Sequence, residues 1–237
     1  MVRGYIISLC DLTGHMVQPW VDAGYHAVLV DPQHPKGVHT SEPNAKGGTI
    51  TRIGATIVEC ADVLGAFFRL FPAAPVVFVA GFPPCTDVAV SGARWFSHKA
   101  KADKHFQTKA ALVAEQCRMV GLLSGAPWFF ENPVSVFSGI FGKPSHTFNP
   151  YDYTGFEPAD NYTKKTCLWT GGGFVMPAPC RDLSLGAPDN RIHTAPPSAD
   201  RANFRSATPM GFARAVFEAN APHLRAIRTP AFFAAAA

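Results

Sequence analysis

The chain has 237 residues, 47% of them hydrophobic and 16% charged; that length and balance suit one globular domain with a real core and exclude a disordered chain. No apolar run reaches the roughly 18 residues of a membrane span. The apolar part of "MVRGYIISLCDLTG" is too short for a secretory signal, so a cytoplasmic protein is expected. A formal net charge of +4 is only mildly basic and by itself decides nothing about partners.

In chain order, "YIISL" (Tyr5 to Leu9) reads as a buried strand, followed by a turn at "CDLTGH" and a short helix in "HMVQPWVDAG" stopped by Gly24. "HAVLVD" (His26 to Asp31) is a second strand, and Pro32 to Thr51, rich in Pro, Gly, His and Lys, reads as loop. "TIVECADVLGAFFRLF" predicts a helix in its later part. "APVVFVAG" (Ala74 to Gly81) is the clearest buried strand, β-branched and bounded by Pro and Gly. "KADKHFQTKAALVAEQCRMVGLL" predicts the longest helix, with an apolar stripe that includes Ala111, Leu112, Cys117, Met119 and Val120. "APWFFENP" (Ala126 to Pro133) and "KKTCLWTGG" are further strands. Gly171 to Asp200 is dense in Pro and Gly and reads as mostly loop. "SATPMGFARAVFEANAPHL" is a closing helix, with Thr208 as its cap and Pro209 in the first helical position, and "AFFAAAA" (231–237) is a frayed tail.

Strands alternating with helices predict a single-domain α/β fold with a mostly parallel sheet flanked by helices. In such folds ligands sit beyond the carboxyl ends of the strands. The loops after four of the strands therefore bring Asp11, Asp31, Cys85 and Glu131 to one edge. The six cysteines form no C-x-x-C pair, and with the histidines they show no metal-ligand spacing, so reduced thiols and no metal are expected. Asp11 and Asp31 follow the first two strands without a G-x-G-x-x-G segment. One glycine and nearby acids suit an adenosine cofactor without phosphates, its ribose held by carboxylate, such as S-adenosylmethionine.

Cys85 and Glu131 carry the chemistry. A thiolate is the strongest nucleophile available near neutral pH, and a glutamate whose pocket raises its proton affinity is a general acid. Together they answer a known difficulty: carbon 5 of cytosine accepts a methyl group only after a thiolate adds to carbon 6 and ring nitrogen 3 is protonated. The same residues also fit a rigid turn beside a buried cysteine. After Cys85 comes "VSGARWFSHKAKADKH", and between Arg94 and Lys109 the basic residues Arg94, Lys99, Lys101, Lys104 and Lys109 stand against the single acid Asp103. It reads either as a lid whose lysines touch phosphates and whose Trp95 and Phe96 stack on bases, or as a solvated face with aromatic anchors.

Phe82-Pro83-Pro84-Cys85 after one strand and Glu131-Asn132-Pro133 after the next resemble the DNA cytosine-5 methyltransferase family. "SLCDLTGHMVQPWVDAGY" is similar to its first cofactor motif, "VLVDPQ" to its second, and "CADVLG" supplies an acid, Asp62, for the adenine amino group. "TPMGFARAVFEA" stands where the family has its closing helix, and "NYTKKTCLWTGG" where it has an arginine-bearing strand. The wording "FPPCTD…VSGARWF" is closer to the divergent phage-encoded members. The resemblance implies a methyltransferase fold over 1–237 and catalysis by Cys85 and Glu131. It implies S-adenosylmethionine against Asp11, Leu12, Thr13, Gly14, Asp31, Pro32, Asp62 and Pro84. It implies DNA against Thr86, Ser91, Gly92, Arg94, Asn132, Pro133, Lys164 and Lys165. Three departures stand out: Thr86 replaces the usual Gln, Pro133 replaces Val, and lysines occupy the arginine strand. Gly171 to Ser206 is roughly 35 residues, too few for a recognition domain, which needs at least about 50. The expectation is methylation of DNA cytosines with low sequence specificity. Methylation of a free cytosine nucleotide, or a non-catalytic nucleic-acid-binding relative, stand as alternatives.

Overall fold

In the computed structural model, which describes residues 3–62, 75–196, 198 and 201–224, the apolar runs form the middle of one sheet. These central strands are β1 (Tyr5–Leu9), β2 (His26–Val30), β5 (Val76–Gly81) and β6 (Trp128–Pro133). β3 (Val38–Thr40), β4 (Thr49–Ile53), β7 (His146–Phe148) and β8 (Thr166–Gly171) complete it. The strand order is β3-β4-β2-β1-β5-β6-β8-β7. The five strands from β4 to β6 run parallel, while β3, and β8 next to β6, run antiparallel to their neighbours.

Successive side chains of a strand point to opposite faces, and here both faces are dry. Ile6, Ala27, Leu29, Phe78, Ala80 and Phe129 enter one core with Trp20 and Phe212. Ile7, Leu9, Val28, Val30, Val79 and Phe130 enter the other with Ala114, Cys117 and Trp169. A parallel sheet covered on both sides needs continuous apolar runs, which is why these strands were legible. Among the flanking helices are α1 (Gln18–Asp22) and α2 (Phe96–Ala102), then α3 (Phe106–Ser124) and α4 (Phe137–Ile140). α5 (Arg191–Thr194), α6 (Arg201–Ser206) and α7 (Met210–Asn220) follow late in the chain.

Several expectations are corrected. The segment from Pro32 to Thr51 is not all loop: it holds β3 and most of β4, whose backbone pairs with β2. β7 was not predicted. On α3 the buried face is Ala110, Ala114, Cys117, Val120 and Gly121, whereas Leu112 and Met119 are exposed. Thr208 does not cap α7. Pro209 is the capping position, and the free Gly211 amide is taken by the buried Asp160 carboxylate at 2.7 Å. Burial raises the Asp160 carboxyl above its usual range, against the pull of that amide. The helix predicted late in "TIVECADVLGAFFRLF" and the 231–237 tail lie outside the described residues. Among the described residues no helix is long and apolar enough to cross a membrane, and no group of three His, Cys, Asp or Glu is placed to hold a metal.

Candidate functional site

The carboxyl ends of β1, β2, β5 and β6 share an edge because these strands are parallel. The order reverses direction between β1 and β5, the crevice where α/β folds bind ligands. The Cys85 loop leaves β5 there. The Phe82 amide continues the ladder by donating to the Leu9 carbonyl at 2.9 Å. Pro83 and Pro84 then fix the backbone on the way to Cys85. Beyond Cys85 the chain closes a turn, the Val88 and Ala89 amides both donating to the Cys85 carbonyl at 3.1 and 2.9 Å. A second brace comes from the segment after β6: Val90 N–H donates to the Val134 carbonyl and Val136 N–H to that of Val88. Cys85 itself is half-buried.

Asn132 supplies a third brace. Its Nδ2 donates to the Pro83 carbonyl at 2.9 Å, and the residue is 1% exposed. The resemblance gave Asn132 to the substrate; here its Nδ2 holds the Cys85 loop while its buried Oδ1 has no hydrogen-bond partner. Pro133 is half-buried at the end of β6, and Pro84 and Thr86 are exposed on the loop.

Glu131 lies on β6 beside this loop. Its Oε1 is shielded from solvent with no hydrogen-bond partner. Burial raises its carboxyl above the ordinary range, and the nearby Lys164 ammonium pulls it partly back. The Cys85 thiol is also raised, first by burial and then by the Glu131 charge, while Lys164 and Arg205 lower it. Four side chains distant in sequence thus share one electrostatic field. Protonation of Glu131 removes the negative charge that opposes a thiolate at Cys85.

Lys164 is the lysine that reaches the site. Its Nζ donates to the backbone carbonyls of Ala207 and Ser206 at 3.3 and 3.5 Å, clasping the segment between α6 and α7. Lys165 is exposed, and its charge falls on Cys167 instead. Between Glu131, Lys164, Phe82, Thr208 and Phe212 is a cavity of about 10 Å³, room for one water and not for a pyrimidine. Any ligand larger than a water beside Glu131 requires part of this lining to move.

At β1 and β2 the acids differ. Asp11 is buried, and its own surroundings engage both its oxygens: Ser8 Oγ donates to Oδ2 at 2.7 Å, and the Gly14 amide and Thr13 Oγ1 donate to Oδ1 at 2.8 and 3.3 Å. Gly14 has φ 73, a backbone region that glycine enters without strain. Asp11 thus shapes this turn, with Leu12 and Thr13 half-buried on it. Asp31 is also buried; its Oδ1 accepts from the Gln33 amide at 2.8 Å, and no described residue bonds Oδ2. Pro32 is exposed beside it, and Asp62 is exposed at the border of the described residues.

The lid expected after Cys85 is a 3-10 helix, Val90–Trp95, running into α2. Gly92 sits within it, its amide donating to the Ala89 carbonyl, so no hinge is visible there. The two aromatics divide the readings: Phe96 packs on Phe106 with ring centroids 5.7 Å apart, whereas Trp95 is 54% exposed with the Arg94 guanidinium 5.4 Å from its ring. Ser91 and Arg94 are exposed. Two of the lysines are engaged by carboxylates, Lys99 with Asp87 at 2.6 Å and Lys109 with Asp103 at 2.7 Å. Lys99 also donates to the Thr86 carbonyl at 2.8 Å, bracing the Cys85 loop. These two serve the protein before any phosphate.

Sequence reasoning missed Arg205 and Asp160, which lie in no motif and reach their places only through folding. Compared with known proteins, the chain matches no family model and no curated sequence.

Proposed function

We propose that this chain is an S-adenosylmethionine-dependent methyltransferase acting on carbon 5 of cytosine in DNA with low sequence specificity. The observation that carries the reading is the placement of Cys85 and Glu131 beside each other at the ends of adjacent parallel strands, with burial raising the proton affinity of the carboxyl. Burial of an unpaired carboxyl has a stability cost, and a hydrogen bond to a ring nitrogen gives it a purpose.

The residues at the β1 and β2 edge fit the cofactor. Asp31 offers a free oxygen in a buried position for a ribose hydroxyl, and the Asp11 turn provides the wall. When bound, S-adenosylmethionine supplies the methyl group. Cys85 adds its thiolate to carbon 6 of the base. Glu131 gives its proton to ring nitrogen 3, which turns carbon 5 into an enamine-type nucleophile. Lys164 favours the thiolate in this step and anchors the chain that closes over the base. Loss of the carbon 5 proton then expels Cys85 and restores the aromatic ring.

Labelled methyl transfer to duplex DNA, single-stranded DNA and cytosine nucleotides, compared side by side, tests the reading. Cys85→Ala abolishes transfer and retains S-adenosylmethionine binding; joint loss of both defeats the nucleophile assignment. A free nucleotide is the second reading. It is favoured by the internal pairing of Lys99 and Lys109, which takes charge away from a DNA-facing lid.

A further inference from the structure

α6, from the stretch of chain too short for a recognition domain, forms a wall of the site. Its last residue, Ser206, lines the cavity at Glu131, and Lys164 holds the Ser206 carbonyl. Two residues back, Phe204 is 50% exposed. With Arg201, Pro196 and Arg191 it lines a separate open hollow of about 410 Å³, within the range of small-ligand sites. In sequence, Arg205 links Phe204 of the hollow to Ser206 of the cavity. Its Nε is shielded from solvent and has no hydrogen-bond partner, and its charge reaches Cys85. A guanidinium nitrogen shielded and unpartnered calls for an acceptor.

The local carboxylates are not that acceptor. Asp189 binds Arg191, Glu157 pairs with Arg214, and Asp160 holds the Gly211 amide. Arg201 Nε donates to the Ala195 carbonyl at 2.7 Å. Lys164 donates to two carbonyls, whereas Arg205 Nε is a donor of α6 left without a partner.

We propose that α6 is a short single-strand-binding element. Arg205 holds the phosphate that links the target nucleotide at Glu131 to its neighbour, and the neighbour's base stacks on Phe204 in the adjoining hollow. Arginine binds phosphate oxygens with its planar fork, and a base face on an aromatic ring is recognised whatever its sequence. A contact set made of one phosphate and one stacked face confers affinity without reading sequence. This rests on the cytosine reading above for the identity of the target nucleotide, and it favours a polynucleotide over a free nucleotide, which has no neighbour to stack.

The test is binding of a twelve-residue thymidine oligonucleotide, which contains no cytosine, by fluorescence anisotropy across a salt series. Arg205→Gln is expected to weaken binding about tenfold and to lower the salt slope by about one. Arg205→Lys keeps most of the slope, and Phe204→Ala weakens binding with the slope unchanged. Thermal melting of each variant confirms that the fold is intact. The proposal is overturned if the wild-type protein does not bind the oligonucleotide, or if Arg205→Gln binds it with unchanged affinity and slope. It is equally overturned if Arg205→Gln affects only deoxycytidine monophosphate. Failure of the methyltransferase reading looks different: no transfer to any cytosine substrate, with Arg205-dependent oligonucleotide binding intact.

Discussion

The Asn132 side chain donates to the carbonyl oxygen of Pro83 at 2.9 Å in a buried position, so the strand that carries the acid also holds the loop that carries the thiol. The Glu131 strand and the Cys85 loop are therefore tied together by this bond, in addition to the backbone bonds from Val90 and Val136.

Replacing Asn132 by Ala leaves the Pro83 carbonyl buried without its partner, a loss of about 1–3 kcal/mol in stability. The larger effect falls on catalysis, because a displacement of about 1 Å at a reacting group costs roughly 100-fold in rate. The expected result is a modest fall in Tm with a fall in kcat on the order of 100-fold, measured by thermal melting and by methyl transfer. A variant with normal kcat shows that the brace does not position Cys85.

Lys164 lowers the proton affinity of both Cys85 and Glu131. Lys164→Met therefore shifts the pH profile of Cys85 alkylation by iodoacetamide upward, and the rate at mildly alkaline pH falls several-fold. Mass spectrometry of the Cys85 peptide separates this signal from that of the exposed Cys180. Lys164→Arg keeps the charge and leaves the profile near that of the wild type. An unmoved profile in Lys164→Met removes the lysine from the site.

Glu131 links stability to pH with a definite sign. Burial raises its folded pKa above the unfolded value, so the folded state keeps a proton that the unfolded state has already released. Its contribution is complete below the unfolded carboxyl range, declines as pH rises toward the folded value, and is lost above it. Glu131→Gln escapes that decline. Its Tm relative to the wild type rises with pH across this window, and a gain of about 1 kcal/mol appears as about 2–4 °C. Melting curves collected from acid to alkaline pH check this, and a constant Tm difference contradicts it. The same variant loses methyl transfer at every pH, since an amide has no acidic proton to give ring nitrogen 3.

Gly81 ends β5 at the point where the Cys85 loop begins, and a Cβ there would lie 2.6 Å from the Cys117 Cβ and 3.3 Å from the Phe130 Cβ. Gly81→Ala forces α3 away from the sheet, with an overpacking cost of about 1–3 kcal/mol. Gly139 in α4 has nothing within 4 Å of such a Cβ, and Gly139→Ala leaves stability unchanged or improved. Chemical denaturation of the two variants provides the comparison.

The sequence by itself determined the middle of the fold. β1, β2, β5 and β6 are buried on both faces, so their apolar runs announced them, and the placement of Asp11, Asp31, Cys85 and Glu131 on one edge followed from parallel strand order. α3 was legible from its length. β3 and β7 were not, because they are three-residue edge strands whose formation depends on a neighbour that no local pattern reveals.

Only the tertiary structure decided what each candidate touches. It tied Asn132 to the Pro83 carbonyl and set Phe96 on Phe106 while leaving Trp95 outside. It chose Lys164 over Lys165, took Thr208 out of its capping role in favour of Asp160, and brought Arg205 near the thiol. Each outcome depends on groups far apart in sequence meeting across the sheet: Asp160 reaches Gly211 over 51 positions, and Asn132 reaches Pro83 over 49. Periodicity reports which face of an element is buried. Hydrogen bonds and charges at a site depend on distances of a few ångströms, which only the packed chain sets.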